Sequence, residues 1–367
     1  MDRPTVAIDC RLMQYRRAGI SQYTRGLIIA LSELPERDFD LALLLDRRDR
    51  DTAWLPPGVA TYRVITPAHH RLEPWVWPLE LGVRLRHLAL LHSPDFIAPA
   101  GRFRKVITVH DLYFAEHPEV MSAEGARYYG RTRGSVARAD RIIAVSAHTA
   151  ADLSRLFGPV AAAKTVVVHE AGAIPARAAR VEDAAQPYVL FVGTFEPRKN
   201  LDTLMRALAR TEADGVNLVI VGEPGWGERG PARLAEELGV AGRVRFAGRV
   251  DDAELDTLYS RARGFAMPSL SEGFGLPVLE AMARGVPCVC AAAGALPEIA
   301  GDAALMHAPT DAAALAAHLG ALWADDGLRA DLARRGLAQA ARFTWARAAR
   351  ETAAVYRAVY RAALRLP

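Results

Sequence analysis

Two doubly wound α/β domains in succession are the fold class this sequence predicts, and three observations lead there. A chain of 367 residues is too long for one compact core and suits two domains of roughly 100–200 residues each. Short apolar runs recur along it, continuous rather than alternating in polarity, as strands buried on both faces of a parallel sheet require. Helical periodicity follows most of these runs, and the whole scheme occurs twice.

In the first half the runs are Thr5–Asp9, Leu41–Leu45, Leu88–His92, Val106–His110, Ile142–Val145 and Thr165–His169, with an amphipathic helix expected over Gly19–Glu33. In the second half they are Tyr188–Val192, Leu218–Val221, Arg243–Phe246, Gly264–Met267 and Pro287–Val289. Between the halves, Ala171–Pro187 is rich in Ala, Arg and Pro and lacks strong periodicity, which marks a linker. Near the end, Thr344 can cap a helix through Trp345, Ala349, Val355, Tyr356 and Tyr360. Its apolar residues recur at helical spacing, so it must bury a face, on the second domain or by crossing back to the first.

Hydrophobic residues make up 51% of the chain and charged residues 24%, which excludes a disordered chain. Met-Asp-Arg-Pro-Thr leads straight into an apolar strand without a signal-peptide hydrophobic region. No uncharged apolar stretch reaches ~18 residues, the length a spanning helix needs. Trp75–His92 looks hydrophobic but carries Glu80, Arg84 and Arg86. A soluble, intracellular protein is the expectation. Cys288 and Cys290 alternate along a strand and so cannot clamp one metal. With Cys10 they read as buried free thiols in a reducing compartment. The net charge is +4, and residues 1–170 carry 23 Lys/Arg against 19 Asp/Glu while the remainder carries 23 of each. An acidic acceptor or an anionic membrane surface could exploit that excess, notable along Arg102–Arg141. Basic stripes interleaved with aromatics are absent, so nucleic acid is not an expected partner.

The strongest motif is Ser271-Glu272-Gly273-Phe274-Gly275-Leu276-Pro277-Val278-Leu279-Glu280, followed by Ala281-Met282-Ala283-Arg284-Gly285-Val286-Pro287. It follows a strand ending near Met267 and opens a helix near Pro277. Gly273 and Gly275 let the backbone approach a ligand, and Pro277 suits a first helical turn. The amides of Phe274, Gly275 and Leu276 would then face an anion over a helix N-terminus. Glu272 can accept from sugar hydroxyls, and Glu280, expected on the first helical turn, from a ribose diol.

This segment resembles the E-x7-E element of family 4 retaining glycosyltransferases, which have the GT-B fold. The resemblance covers nearly the whole chain. Gly193-Thr194-Phe195-Glu196-Pro197-Arg198-Lys199-Asn200-Leu201 is similar to the family's first donor-site loop, and Val109-His110-Asp111-Leu112 to its acceptor-domain loop. Ala18-Gly19-Ile20-Ser21 is similar to its glycine turn, and Phe343-Thr344-Trp345 to the start of its closing helix. The resemblance implies an acceptor-binding domain over 1–175, a donor-binding domain over 186–345 facing it across a cleft, and a helix over 346–367 packing back toward the first. It implies that Lys199 contacts the donor phosphates, that Gly19 lets a helix N-terminus approach the β-phosphate, and that His110 lies near the reacting carbon. Many members carry Arg where this chain has Thr194, so Arg198 or Thr194 takes that contact. Val250 would lie against the nucleobase and Asp252 would accept from a guanine, although Asp251 or Asp252 also suits a plain helix N-cap.

The activity implied is retaining transfer of a hexose, mannose first, from a nucleotide-diphosphate sugar (GDP-mannose or a UDP-hexose) to a glycan or lipid-linked glycan in surface polysaccharide synthesis. No cofactor or metal is expected, because cations and helix ends stabilise the leaving diphosphate. The setting implied is the cytoplasm, with peripheral association at the inner membrane surface. A nucleotide-sugar epimerase of the same fold, an NAD-dependent dehydrogenase and an inactive sugar-nucleotide binder are the alternatives. The dehydrogenase rests on Gly225-x-Gly227-x-x-Gly230, but Gly222-Glu223-Pro224 intervenes and spoils the tight turn of that fingerprint. Asp38-Phe39-Asp40 and Asp49-Arg50-Asp51 spell the D-x-D of metal-dependent transferases, yet they sit in charged connections where solvated carboxylates are expected.

Overall fold

A computed structural model of the chain describes all residues except 1–2, 15–18, 36, 86, 122, 173–185, 212–214, 224–229 and 365–367. It divides into two compact units, one formed by 1–171 with 344–367 and the other by 172–343. Most of the linker expected over 171–187 lies outside the described residues. Among the described residues no helix is long and apolar enough to cross a membrane.

The first unit holds a seven-stranded sheet of β1 (Thr5–Asp9), β2 (Asp40–Asp46), β3 (Ala60–Val64), β4 (Leu88–Ser93), β5 (Arg104–Val109), β6 (Arg141–Ala144) and β7 (Thr165–Val167). Their order is β3-β2-β1-β4-β5-β6-β7, and every pairing is parallel. The winding therefore reverses between β1 and β4, the place where an open α/β sheet leaves a crevice at its carboxyl edge. Strand β3 was not expected. Its sequence, Ala-Thr-Tyr-Arg-Val, leaves three of five residues exposed at the sheet edge, so no continuous apolar run announces it.

The C-terminal helix (Trp345–Leu364) belongs to this unit. Thr344 Oγ1 accepts from the Arg347 N–H at 3.2 Å and starts it. Ala349, Tyr356 and Tyr360 pack into one core with Leu27, Ile28 and Leu31 of the Gly19–Ser32 helix. The two helices meet where Gly26 faces Trp345: a Cβ there would fall 2.3 Å from the indole, so only glycine fits. Asp38 anchors the other end, accepting from Tyr360 at 2.6 Å and from Arg357 at 3.0 Å. Asp49 is buried. The expectation that the D-x-D pairs are merely solvated is thus corrected for Asp38, which ties the C-terminal helix, and for Asp49, which is buried and accepts from the Asp51 N–H. Asp40 is exposed as expected.

A buried polar relay runs through the same core. Tyr356 OH meets His92 Nδ1 at 2.6 Å, His92 Nε2 meets Thr108 Oγ1 at 2.8 Å, and Thr108 meets Tyr23 OH at 3.1 Å. Burial, with His110 nearby, pushes the His92 pKa down to about 3, so this imidazole is neutral. Replacing Tyr356 with Phe strands a buried His92 nitrogen and should destabilise the first unit by about 1–3 kcal/mol. Urea denaturation followed by circular dichroism measures it, and an unchanged midpoint would mean that the relay is not stabilising.

The second unit holds β8 (Val189–Val192), β9 (Leu218–Val221), β10 (Val244–Gly248), β11 (Gly264–Met267), β12 (Cys288–Ala291) and β13 (Ala304–His307) in the order β10-β9-β8-β11-β12-β13. All pairs are parallel, and the reversal falls between β8 and β11. Edge strand β13 was also not expected, and β12 starts one residue later than its apolar run. Cys288 and Cys290 are free and fully buried on it, and Cys10 is free and buried in the first unit.

Candidate active site

Because the second sheet reverses between β8 and β11, the loops leaving these strands are neighbours at one crevice. The loop after β8 carries Arg198 and Lys199 in a short turn, Pro197–Lys199. Asn200 ends that turn in a left-handed conformation (φ 59°), its side-chain amide donating to the carbonyls of Pro268 and Pro309 at 2.9 and 2.7 Å. The Leu270 N–H donates to the Arg198 carbonyl at 2.7 Å. The Asn200 side chain and the Leu270–Arg198 backbone bond thereby stitch the two loops together and place the cations.

Their target is Glu272. Lys199 Nζ donates to Glu272 Oε1 at 2.6 Å, Arg198 Nη1 to Oε2 at 3.1 Å, and Ser269 Oγ to Oε1 at 2.7 Å. Arg198 also donates from Nε to Glu196 at 2.8 Å. Burial opposes ionisation of Glu272, but Lys199 and Arg198 outweigh it and hold the pKa down to about 2. Burial lowers the Lys199 pKa, and Glu272 counters part of that effect. Two basic side chains and a carboxylate thus face one another with little access to water, and each favours the charged form of its partner.

Gly275 precedes the Leu276–Met282 helix at φ 104°, where a Cβ would also fall 2.8 Å from Leu296. The Phe274 ring is buried and meets Phe343 edge-on, so Phe274 offers a ligand only its backbone. Glu280 lies on the second turn of this helix, not the first as expected. It is buried, and its Oε2 accepts from Tyr259 OH at 3.0 Å. Gly273 belongs to the same turn, and Thr194 is exposed on the β8 loop. Asp251 is the N-cap of the Asp252–Arg261 helix, accepting from Glu254 N–H at 2.8 Å, which leaves Asp252 exposed at its first position. Val250 and Asp252 follow β10, two strands from β8 in the sheet order, or roughly 10 Å away. They stand apart from the Glu272 cluster.

In the first unit, His110 immediately follows β5. Its Nδ1 faces Glu170 Oε1 at 2.7 Å and its Nε2 faces the Pro94 carbonyl at 3.0 Å. The Pro94 carbonyl accepts and an ionised Glu170 accepts, so this geometry favours protons on both ring nitrogens. Burial works against that charge, but Glu170 outweighs it and the pKa rises above the ordinary value. Tyr23 packs edge-on against the ring at 4.8 Å. A cavity of about 180 Å³ opens beside it, lined by Phe96, Phe114, Tyr128, Tyr129, Asp95 and Asp111 among others. Burial pushes the Asp95 pKa up to about 6 although Tyr128 donates to it. Gly19 begins the Gly19–Ser32 helix and is exposed, while Ala18 lies outside the described residues. Gly225 and Gly227 of the dinucleotide-like pattern lie outside them too. Among the described residues no three His, Cys, Asp or Glu side chains group as a metal site. Glu170, Asp95, Ser269 and Tyr259 were missed in the sequence, which shows acids and hydroxyls at strand ends but not whom they meet.

Residues 175–339 match the glycosyl transferases group 1 family and residues 18–171 match Glycosyltransferase Family 4. An O-antigen chain mannosyltransferase B of Escherichia coli is 35% identical over 315 residues, covering 82% of this chain and 80% of that protein. The chain belongs to glycosyltransferase family 4. A D-inositol 3-phosphate glycosyltransferase of Salinispora tropica is 33% identical over 312 residues, covering 74% of this chain and 64% of that protein. Among solved structures, sucrose-phosphate synthase from Thermosynechococcus elongatus matches with a TM-score of 0.77 at 23% identity, covering 98% and 100% of the two chains. Anabaena HepE in complex with UDP and glucose matches with a TM-score of 0.72 at 20% identity, covering 96% and 99%. These likenesses show the GT-B fold of this family 4 glycosyltransferase.

The His110 geometry carries a pH prediction. A raised pKa means that the charged ring stabilises the fold below about pH 6.5 and that this contribution is lost as pH rises through the raised value. Imidazole NMR should show His110 titrating above 6.5 in the native chain and clearly lower in Glu170→Gln. Equal titration in both would remove Glu170 as the cause.

Proposed function

We propose that this family 4 glycosyltransferase moves a hexose, mannose in the first instance, from a nucleotide-diphosphate sugar to a hydroxyl of a glycan or lipid-linked glycan, with retention. The observation that carries the reading is the pairing of Lys199 and Arg198 on one carboxylate at the β8/β11 reversal. A diphosphate leaving group gains negative charge as the sugar–oxygen bond breaks, and two fixed cations lower that barrier without reorganising. On this reading the diphosphate shares the cations with Glu272. Ser269, Lys199 and Arg198 use three of the roughly four acceptor sites of Glu272, and a sugar hydroxyl takes the next. Glu280 takes the ribose, and Gly273 to Leu276 offer backbone N–H groups to the phosphates. Thr194, Val250 and Asp252 border the donor further out, which suits GDP-mannose or a UDP-hexose.

The chemistry proposed is same-face displacement. The bond from the anomeric carbon to the β-phosphate oxygen breaks with its electron pair going to that oxygen. The acceptor oxygen bonds the same face of the carbon, and its proton passes to the departing phosphate. The doubly protonated His110 serves as a fixed positive charge, not as a base, and Gly19 leaves its helix start open to phosphate. The aromatic-lined cavity beside His110 is the proposed acceptor site. No metal is needed in this scheme, since the cations do the charge stabilisation. The relatedness to an O-antigen mannosyltransferase supports mannose and a polysaccharide product, and we place the reaction in the cytoplasm at the membrane surface.

Lys199→Ala should lower turnover by about 10²–10³. Release of free nucleotide diphosphate from a panel of nucleotide sugars, in EDTA, measures it. Unchanged turnover in the folded variant removes Lys199 from the site, and activity that requires added Mg²⁺ or Mn²⁺ rules out the metal-free scheme.

A further inference from the structure

The helix Glu73–Arg84 is built inside out. Surface helices of globular proteins turn charges to water and apolar residues to the core. Here the two acids of the helix turn inward. Glu73 is buried, accepting from Arg11 at 2.8 Å and from Arg131 at 2.7 Å. Glu80 is taken by the N–H groups of Ile65 and Thr66 and by the Thr66 hydroxyl, at 2.7, 3.0 and 2.7 Å. The inward side also buries Trp77 and Leu81. The outward side is left to Leu72, Trp75, Val76, Leu79 and Val83, which are 49, 66, 43, 70 and 68% exposed. At 100° per residue these five span an arc of about 100°, with no charged side chain between Leu72 and Val83 on that arc.

Lone exposed apolar residues are ordinary, but a contiguous stripe headed by Trp marks an interaction surface. The surroundings indicate what covers it. At the N-terminal end of the helix a cavity of about 180 Å³ is lined by His70, Arg71, Pro74, Arg127 and Arg131 among others. An apolar stripe with Trp, bordered by cations and lying on one helix, matches a bilayer interface with anionic headgroups, where apolar side chains enter the acyl boundary and cations meet phosphate. A protein partner of like shape would need acids ringing an apolar groove, which is a narrower requirement.

We propose that the Leu72–Val83 face of this helix docks the chain on an anionic lipid bilayer, with Arg71 and Arg127 on the headgroup phosphates. The surface does not depend on the sugar-transfer reading. The test therefore uses vesicles and no glycosyl acceptor, so its failure removes the membrane setting proposed above and leaves the transfer chemistry standing.

The full chain is sedimented with phosphatidylglycerol vesicles and with phosphatidylcholine vesicles at 0.1 M salt. Binding to the anionic vesicles should be at least tenfold tighter and should weaken at 0.5 M salt. Tryptophan emission should shift to the blue on binding, and Trp75→Phe should remove most of that shift. Leu79→Gln with Val83→Gln, both at exposed positions, should leave the melting temperature unchanged and lower vesicle binding about tenfold or more. Arg71→Gln with Arg127→Gln should reduce the preference for anionic lipid. Failure of the native chain to sediment overturns the proposal, as does a Leu79→Gln, Val83→Gln chain that binds as well as the native one. A lipid-free native dimer that this double variant converts to monomer also overturns it, because the stripe would then be covered by a second copy.

Discussion

A carboxylate drawn out of water must be paired, and in the second unit that demand falls on Glu272. Its partners, Lys199 and Arg198, are themselves nearly buried, so none of the three can leave without exposing the others to an uncompensated field. Removing one member of such a set costs far more than its presence contributes. The arrangement is thus poor as a stability device and sensible as a poised site. It keeps two basic side chains oriented on one carboxylate at a sheet edge, the feature on which the proposed donor site rests.

The parallel sheets explain why the groups meet where they do. Each unit has a single winding reversal, β1 to β4 in the first and β8 to β11 in the second. Neighbouring loops at such a reversal depart in opposite directions and leave an open crevice. The Lys199 loop and the Glu272 loop flank the second reversal. Pro94 and Asp95 follow β4 at the first, and His110 follows β5 beside it. In the first unit the Tyr356–His92–Thr108–Tyr23 relay ties the C-terminal helix to the ring packed against His110. That helix therefore supports the position of His110 as well as closing a core.

Much of this was legible because the central strands are apolar on both faces, and because Glu272, Lys199 and His110 stand at strand ends in recognisable loops. Strands β3 and β13 were not legible, since an edge strand needs only one apolar face. The partners of the site residues were hidden for another reason. Glu170 is 60 residues from His110 and Glu272 is 73 from Lys199, and no local pattern encodes such a meeting. The Glu73–Arg84 helix shows the limit most plainly. In the sequence Glu80 served only to exclude a spanning helix, and nothing there showed that the fold turns it inward and leaves the apolar residues outside.

The central claim is that Lys199 and Arg198 bind the diphosphate of the donor. The most direct measurement is a crystal structure of the chain with a nucleoside diphosphate bound. The account predicts a phosphate oxygen within hydrogen-bond distance of Lys199 Nζ and of the Arg198 guanidinium, with the ribose toward Glu280. A diphosphate seated elsewhere, with both cations still engaged only by Glu272 and Glu196, would contradict it.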